Sequence, residues 1–297
     1  MPSVKDLRDR IKSLKNTQQI TKAMKQVAAA KIRRAEMVQK QARPYADALS
    51  QMLRDLTSAV SSVDHPFMKP GKAGAPSGVI LMTADKGLAG AFNANLIRAA
   101  EIYVKTNADA TFYTVGNKGR NTIRRMDRPD HLTWSLNAPS KIDTARAVAA
   151  AVTEAFVAGE IGDIVLISPK LVSMLSQKPE TRHLVPIENL VIPIVASAAS
   201  EVEGQHKAKA GAVEFSPSPE FVLSRLLPKY LEFTIYSAML ETDAAFFAAQ
   251  LIAMNNATDN AGKLIDELTI KMNNARQAAI TKELLEIVAG AEALSGS

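Results

Sequence analysis

The residues with the reach of chemistry are few. Four histidines, at 65, 131, 183 and 206, stand far apart, none forms an HExxH pair, and the 297-residue chain has no cysteine. That excludes thiol nucleophiles, disulfides and Cys-ligated zinc or iron–sulfur centres, and the histidine spacing offers no dedicated metal site. The turn Thr83-Ala-Asp-Lys-Gly-Leu-Ala-Gly90 follows an apolar run, where glycines let backbone amides approach an anion. It lacks the three glycines of GxGxxG and the Gly-Lys-Ser/Thr of a P-loop, and Gly116-Asn-Lys-Gly119 supplies neither. The expectation is a structural turn, with no cofactor and no metal.

Charge points to contact rather than catalysis. Residues 1–43 hold twelve Lys and Arg against three acids, a local +9 in a chain of net +6, so the remainder carries −3. An acidic partner is expected to meet that segment. Nucleic acid fits it poorly, because Tyr45 is the one aromatic nearby that could stack a base. A transit peptide fits poorly too, because Asp6 and Asp9 lie in the first turns. About half the residues are apolar and no run reaches the roughly 20 needed to span a bilayer.

Apolar residues at 4, 7, 11 and 14, and after a shift of register at 35, 38, 42, 45, 49, 52 and 56, alternate steps of 3 and 4, the seam of a coiled coil. One helix of about 57 residues, about 85 Å long, is expected, bent at Pro44. Its stretch Asn16–Ala30 is small and neutral enough for close approach on several sides. Residues 61–77, with Pro66, Pro70, Gly71, Gly74 and Pro76, read as a linker. Strands are expected at 78–83, 111–115 and 163–168, helices at 95–105 and 143–157, and an edge strand at 182–192. The alternation implies a parallel-sheet α/β layer resembling a nucleotide-binding fold without its fingerprint.

Residues 196–218 read as a second linker, ending in Ser218 as N-cap and Pro219 at the first helical position. A helix of about 70 residues follows, with a seam at 261, 265, 268, 272, 275 and 279, antiparallel to the first helix. The organisation is therefore an N-terminal coiled-coil helix (1–63), a linker (64–77), a central α/β domain (78–195), a linker (196–218) and a C-terminal coiled-coil helix (219–297). Near its end Ile280, Leu284, Leu285, Ile287, Val288 and Leu294 surround the helix more fully than a two-helix seam needs, so another chain should enclose them. Asn273-Asn274-Ala-Arg276-Gln277 is either a solubilising turn or a contact site.

The order of motifs resembles the gamma subunit of the F-type proton-translocating ATP synthase. Leu14-Lys-Asn-Thr-Gln18, Ile20-Thr-Lys-Ala-Met24 and Val27 to Lys31 carry the match at the start. Asp85-Lys-Gly-Leu88 with Gly90 carries it in the middle. Met254 to Asn260 and Ala275 to Thr281, with Glu283-Leu and Glu286-Ile, carry it at the end. The resemblance implies a rotor shaft within three alpha and three beta subunits, seated on the c-ring with epsilon, associated with the membrane only through the complex, and with the catalytic residues on beta. It implies that Arg276, Gln277 and Thr281 meet a beta loop, that Lys22, Met24 and Lys25 face the acidic lever of beta, and that the apolar end turns in a greasy sleeve. Two departures stand out: Ala89 where many relatives have Cys, and Ala245-Phe-Phe-Ala-Ala-Gln250 where relatives carry a Glu and an Arg. The start Met-Pro-Ser-Val-Lys suggests a bacterial form at the cytoplasmic face of the inner membrane.

Overall fold

The computed structural model describes residues 3–59, 65–126, 130–187 and 218–295. The chain forms two compact units, Ala28–Gln250 and Met1–Val27 with Leu251–Ser297. In order, the elements are α1 (Val4–Ala59), β1 (Ser77–Met82), α2 (Phe92–Thr106), β2 (Thr111–Val115), α3 (Asn117–Arg125), β3 (Asp130–Trp134), α4 (Lys141–Val157), β4 (Asp163–Ser173), β5 (Ser176–Val185) and α5 (Pro219–Ser295). The fold is α/β, with N- and C-terminal helices and a central sheet.

In the larger unit the sheet runs β3-β2-β1-β4-β5. The first four strands are parallel, and β5 returns antiparallel beside β4. The sheet is thus mixed rather than purely parallel. β1 lies in the middle and is buried on both faces, which is why its sequence is a continuous apolar run. Its alternate residues serve different layers: Val79 and Leu81 pack with Ala100, Phe112, Ile123 and Ile167, toward α2 and α3. Ile80 and Met82 pack on the other side with Val148 and Val152 of α4, Leu49 and Leu53 of α1, and Leu227 and Leu231 of α5.

The edge strand is at 176–185, not 182–192, and residues 188–192, like the linker 196–217, lie outside the described residues. Only residues 182–185 of β5 fell within the expected edge strand, because Lys178, Pro179 and Glu180 hide the alternation at its start. These are the residues that protect an exposed edge. β4 is also longer than expected. It pairs with β1 only through Ile167 but with β5 through Ser173, so Pro169 falls where β4 has one neighbour and its missing N–H costs no ladder bond. Ser218 caps α5 as expected, its hydroxyl accepting the Phe221 N–H at 3.2 Å. Both terminal helices continue through their prolines, Pro44 and Pro228.

Candidate functional site

The burial pattern of α1 corrects the expected shift of register. An unbroken series of steps of 3 and 4 runs through Val4, Leu7, Ile11, Leu14, Gln18, Thr21, Lys25, Ala28, Ile32, Ala35, Gln39, Ala42, Ala46, Leu49, Leu53 and Leu56, each buried or half-buried, with Met24, Ala29, Val38, Ser50 and Asp55 covered beside it. Tyr45 and Met52, expected in the seam, are exposed, and Ala46 and Leu53 take their place. The seam does not break between Leu14 and Ala35; it turns polar.

Within the smaller unit those polar positions find partners on α5. Gln18 Nε2 donates to the carbonyl of Thr258 at 3.4 Å, the Thr21 and Thr258 hydroxyls lie 2.8 Å apart, and Lys25 Nζ donates to Asn255 Oδ1. Residue numbers rise on α1 as they fall on α5, so the pairing is antiparallel. Small hydroxyl and amide groups allow close approach, and the side chains of Gln18, Thr21 and Lys25 each have a polar partner on α5. Lys22 is exposed and Met24 half-buried.

On α5 the half-buried and buried positions Met254, Thr258, Ala261, Ile265, Leu268, Met272 and Ala275 continue that seam, and then it ends. Ala279, expected as the next step, is exposed. Every residue from Arg276 to Ala289 is exposed, including Ile280, Leu284, Leu285, Ile287 and Val288 at 50% to 67%. The side chain of Leu294 lies outside the described residues. Arg276 and Gln277 stand at the boundary between the paired and bare lengths, and the Thr281 hydroxyl donates to the Gln277 carbonyl at 3.0 Å. Five large apolar side chains in three turns of one helix form a surface of the kind that marks an interaction site. Burying each is worth about 1.5–3 kcal/mol.

The turn after β1 is the opposite case. The Thr83 hydroxyl accepts the Gly119 N–H at 2.8 Å, and a Cβ on Gly116, at φ +102°, would lie 2.1 Å from the Thr83 carbonyl oxygen. Asp85 accepts from Asn117 N, Ser135 Oγ, Asn137 N and Asn137 Nδ2 at 2.7–3.0 Å. Burial alone would raise its pKa, but these donors hold it below the ordinary carboxylate value. Asn93 closes the other side, accepting from Ala84 N and donating to the Lys86 carbonyl. The turn is a strap joining three loops.

Open α/β sheets take ligands where the strand order reverses, here at the carboxyl ends of β1 and β4. In this chain α5 reaches that place. The Thr242 hydroxyl lies 3.7 Å from Met82 Sδ at the end of β1, and buried Glu241 accepts the Leu171 N–H of β4 at 2.9 Å. Burial pushes the Glu241 carboxyl up, as it does that of Asp243, whose partner is Lys141 at 2.9 Å. Phe246 and Phe247 point inward as well: Phe246 meets Phe92 edge to face at 5.8 Å, and Lys31 Nζ sits 4.9 Å over the Phe247 ring. The sequence reading missed Glu241 and α3. The only mark of the first was a carboxylate inside an apolar run, and of the second a cluster of four cations.

An α/β layer whose ligand crevice is occupied by its own helix, and a helix that runs bare beyond its seam, define a class of protein that works by contact with other chains. The comparisons specify it further. A family model described as ATP synthase matches residues 3–294. The ATP synthase gamma chain of Heliobacterium modesticaldum is 41% identical over 295 residues, covering 99% of this chain and 100% of the relative. That of Pelotomaculum thermopropionicum is 42% identical, at 99% and 100%. A chain in the structure of the Euglena gracilis mitochondrial ATP synthase has the same fold, with a TM-score of 0.67 at 20% identity over 98% of this chain and 94% of that one. The chain belongs to the ATP synthase gamma chain family.

Proposed function

We propose that this chain is the central rotor of an F-type ATP synthase, and that its partners are the ring of alpha and beta subunits, the epsilon subunit and the c-ring. In this reading residues 1–63 and 219–297 form the shaft, and the domain at 78–195 takes up rotation from the c-ring. The off-axis faces of the shaft push each beta subunit in turn through states that bind ADP and phosphate, form ATP and release it. The catalytic groups belong to beta, and this chain reaches the inner membrane through the complex. The observation that carries the reading is the bare apolar end of α5 after Ala275, in a chain of the gamma family.

The physical requirements of a rotor fit that end. An apolar contact is non-directional, so Ile280, Leu284, Leu285, Ile287 and Val288 can turn within a sleeve without a preferred angle. Arg276, Gln277 and Thr281, at the mouth of that sleeve, are the groups assigned to a beta loop. Lys22, Met24 and Lys25 are assigned to the acidic lever of beta. Contact with Lys22 stays weak because an exposed charge is screened within about 8–10 Å at physiological salt, whereas a tight buried pair would hold the shaft at one angle.

The test is ATP hydrolysis by purified alpha and beta subunits with this chain, without it, and with Arg276→Ala plus Gln277→Ala. Sustained turnover only with the intact chain, lowered by the double substitution, is expected. Indifference to the chain overturns the assignment. Dependence on the chain with a silent double variant keeps the rotor and moves the contact away from Arg276 and Gln277.

A further inference from the structure

Within the larger unit α5 is packed by apolar side chains, Leu223, Leu227, Leu231, Ile235 and Met239 among them, and two carboxylates interrupt that packing. Glu241 is 5% exposed, and the side chain of Asp243 is 15% exposed. Burying a charge is expensive even when it is paired, and an apolar side chain at either place would be buried at lower cost. Stability alone does not call for carboxylates here.

Both reach fixed partners outside the helix, on different elements. Past Ile167 β4 no longer pairs with β1, and there Glu241 Oε1 accepts the Leu171 N–H at 2.9 Å. The ribbon behind Leu171 is braced by Glu180, which lies 3.1 Å from Lys170 and 3.4 Å from Arg182. Asp243 Oδ2 meets Lys141 Nζ at 2.9 Å. Lys141 is the first residue of α4 and also donates to the Leu136 carbonyl, between the Ser135 and Asn137 that Asp85 holds to the turn after β1. The pair Glu232–Arg146, at 3.8 Å, is a looser hold on α4, since its arginine is more than half exposed.

At about 100° and 1.5 Å per residue, positions 241 and 243 lie about 200° apart around α5 and about 3 Å apart along it. Apolar packing keeps a helix against its neighbours without direction, whereas a hydrogen bond to a charged acceptor weakens steeply off its line. Two such bonds at one height and on opposite sides of the axis resist turning in both senses. We propose that Glu241 and Asp243 are positioning residues that key α5 against rotation within the α/β domain, so that torque on the domain enters the shaft at this level. The proposal rests on the rotor reading. It gives the two ends of α5 opposite requirements: the bare end turns without a preferred angle, and the keyed length holds one.

The test uses the complex of this chain with alpha and beta subunits freed of cysteine, the ring fixed to a surface. Lys105→Cys, at an exposed position of α2 in a chain with no cysteine of its own, carries a bead. A bead that does not turn in ATP overturns the rotor reading, whatever the key does. With rotation stalled by a non-hydrolysable ATP analogue, the angular variance of the bead measures how freely the domain twists against the shaft held in the ring. Glu241→Ala with Asp243→Ala is expected to raise that variance about twofold or more, while ATP turnover stays within about twofold of the parent. Glu241→Gln with Asp243→Asn keeps an acceptor oxygen at each place and is expected to return the variance to that of the parent. Glu241→Ala and Asp243→Ala made singly are expected to give intermediate variances, and they decide the question if the double variant does not assemble. An unchanged variance in the alanine variants overturns the proposal, as does amide substitution that leaves the domain as loose as alanine does.

Discussion

The turn at Thr83–Gly90 and the end of α5 are both places where the sequence departs from a simple apolar pattern, and they resolve in opposite ways. Around the turn the polar groups are satisfied within the chain: Asp85 holds two other loops, Asn93 closes the turn, and Thr83 receives α3. Beyond Ala275 nothing in the described structure meets the apolar side chains. The turn's residues are explained by this chain alone, while the helix end leaves its apolar side chains without cover among the described residues. Conspicuous spacing in a sequence therefore marks a constraint without saying on which side of the molecular boundary the constraint lies.

Substitutions can break or sharpen that comparison. The largest effect is expected from Gly116→Ala, which puts a Cβ in collision with the Thr83 carbonyl at a positive φ. A loss of at least about 3 kcal/mol is expected in urea denaturation of the purified chain. A loss below about 1 kcal/mol would mean that the strap is looser than its geometry indicates.

Asp85→Asn comes next, with an expected cost of about 1.5–3 kcal/mol at pH 7, because hydrogen bonds to a charged acceptor are lost or weakened. The folded-state pKa of Asp85 is lowered, so its stabilisation is present above the unfolded value near 4 and fades as pH falls through the folded value. The parent chain should therefore lose its margin over the variant on acidification, measured as urea midpoints across an acid series. A margin that does not change with pH would assign the cost to packing instead of charge.

The smallest effect belongs to the other region. Leu284→Ala with Leu285→Ala should change the stability of the isolated chain by no more than about 0.5 kcal/mol, since neither side chain is covered. The same pair should weaken retention of the chain in the assembled complex, followed by size-exclusion chromatography. A stability cost above about 2 kcal/mol would place these leucines in a core of this chain.

Much of the fold was legible because period and burial agree. Gly78–Met82 reads as a doubly buried strand for the reason that it is one, and Ser218-Pro219 starts α5 as capping chemistry requires. The bare helix end was legible too, since Ile280 through Val288 exceed what a single seam can cover. The illegible elements were those whose local signal is polar. α3 buries only Gly119 and Ile123, and β5 disguises its alternation with edge-protecting charges.

By itself the sequence determined two long helices, the parallel strands between them, the absence of thiol chemistry, and an apolar length without a mate, because each follows from periodicity or composition. Only the tertiary structure decided that Gln18, Thr21 and Lys25 continue the seam, since a polar residue is admitted there only when the facing helix supplies Thr258 and Asn255 at the right height. It also decided that Thr242 and Glu241 reach the ends of β1 and β4. Those contacts join residues 70 and 160 positions apart, and no local pattern records a partner at that separation.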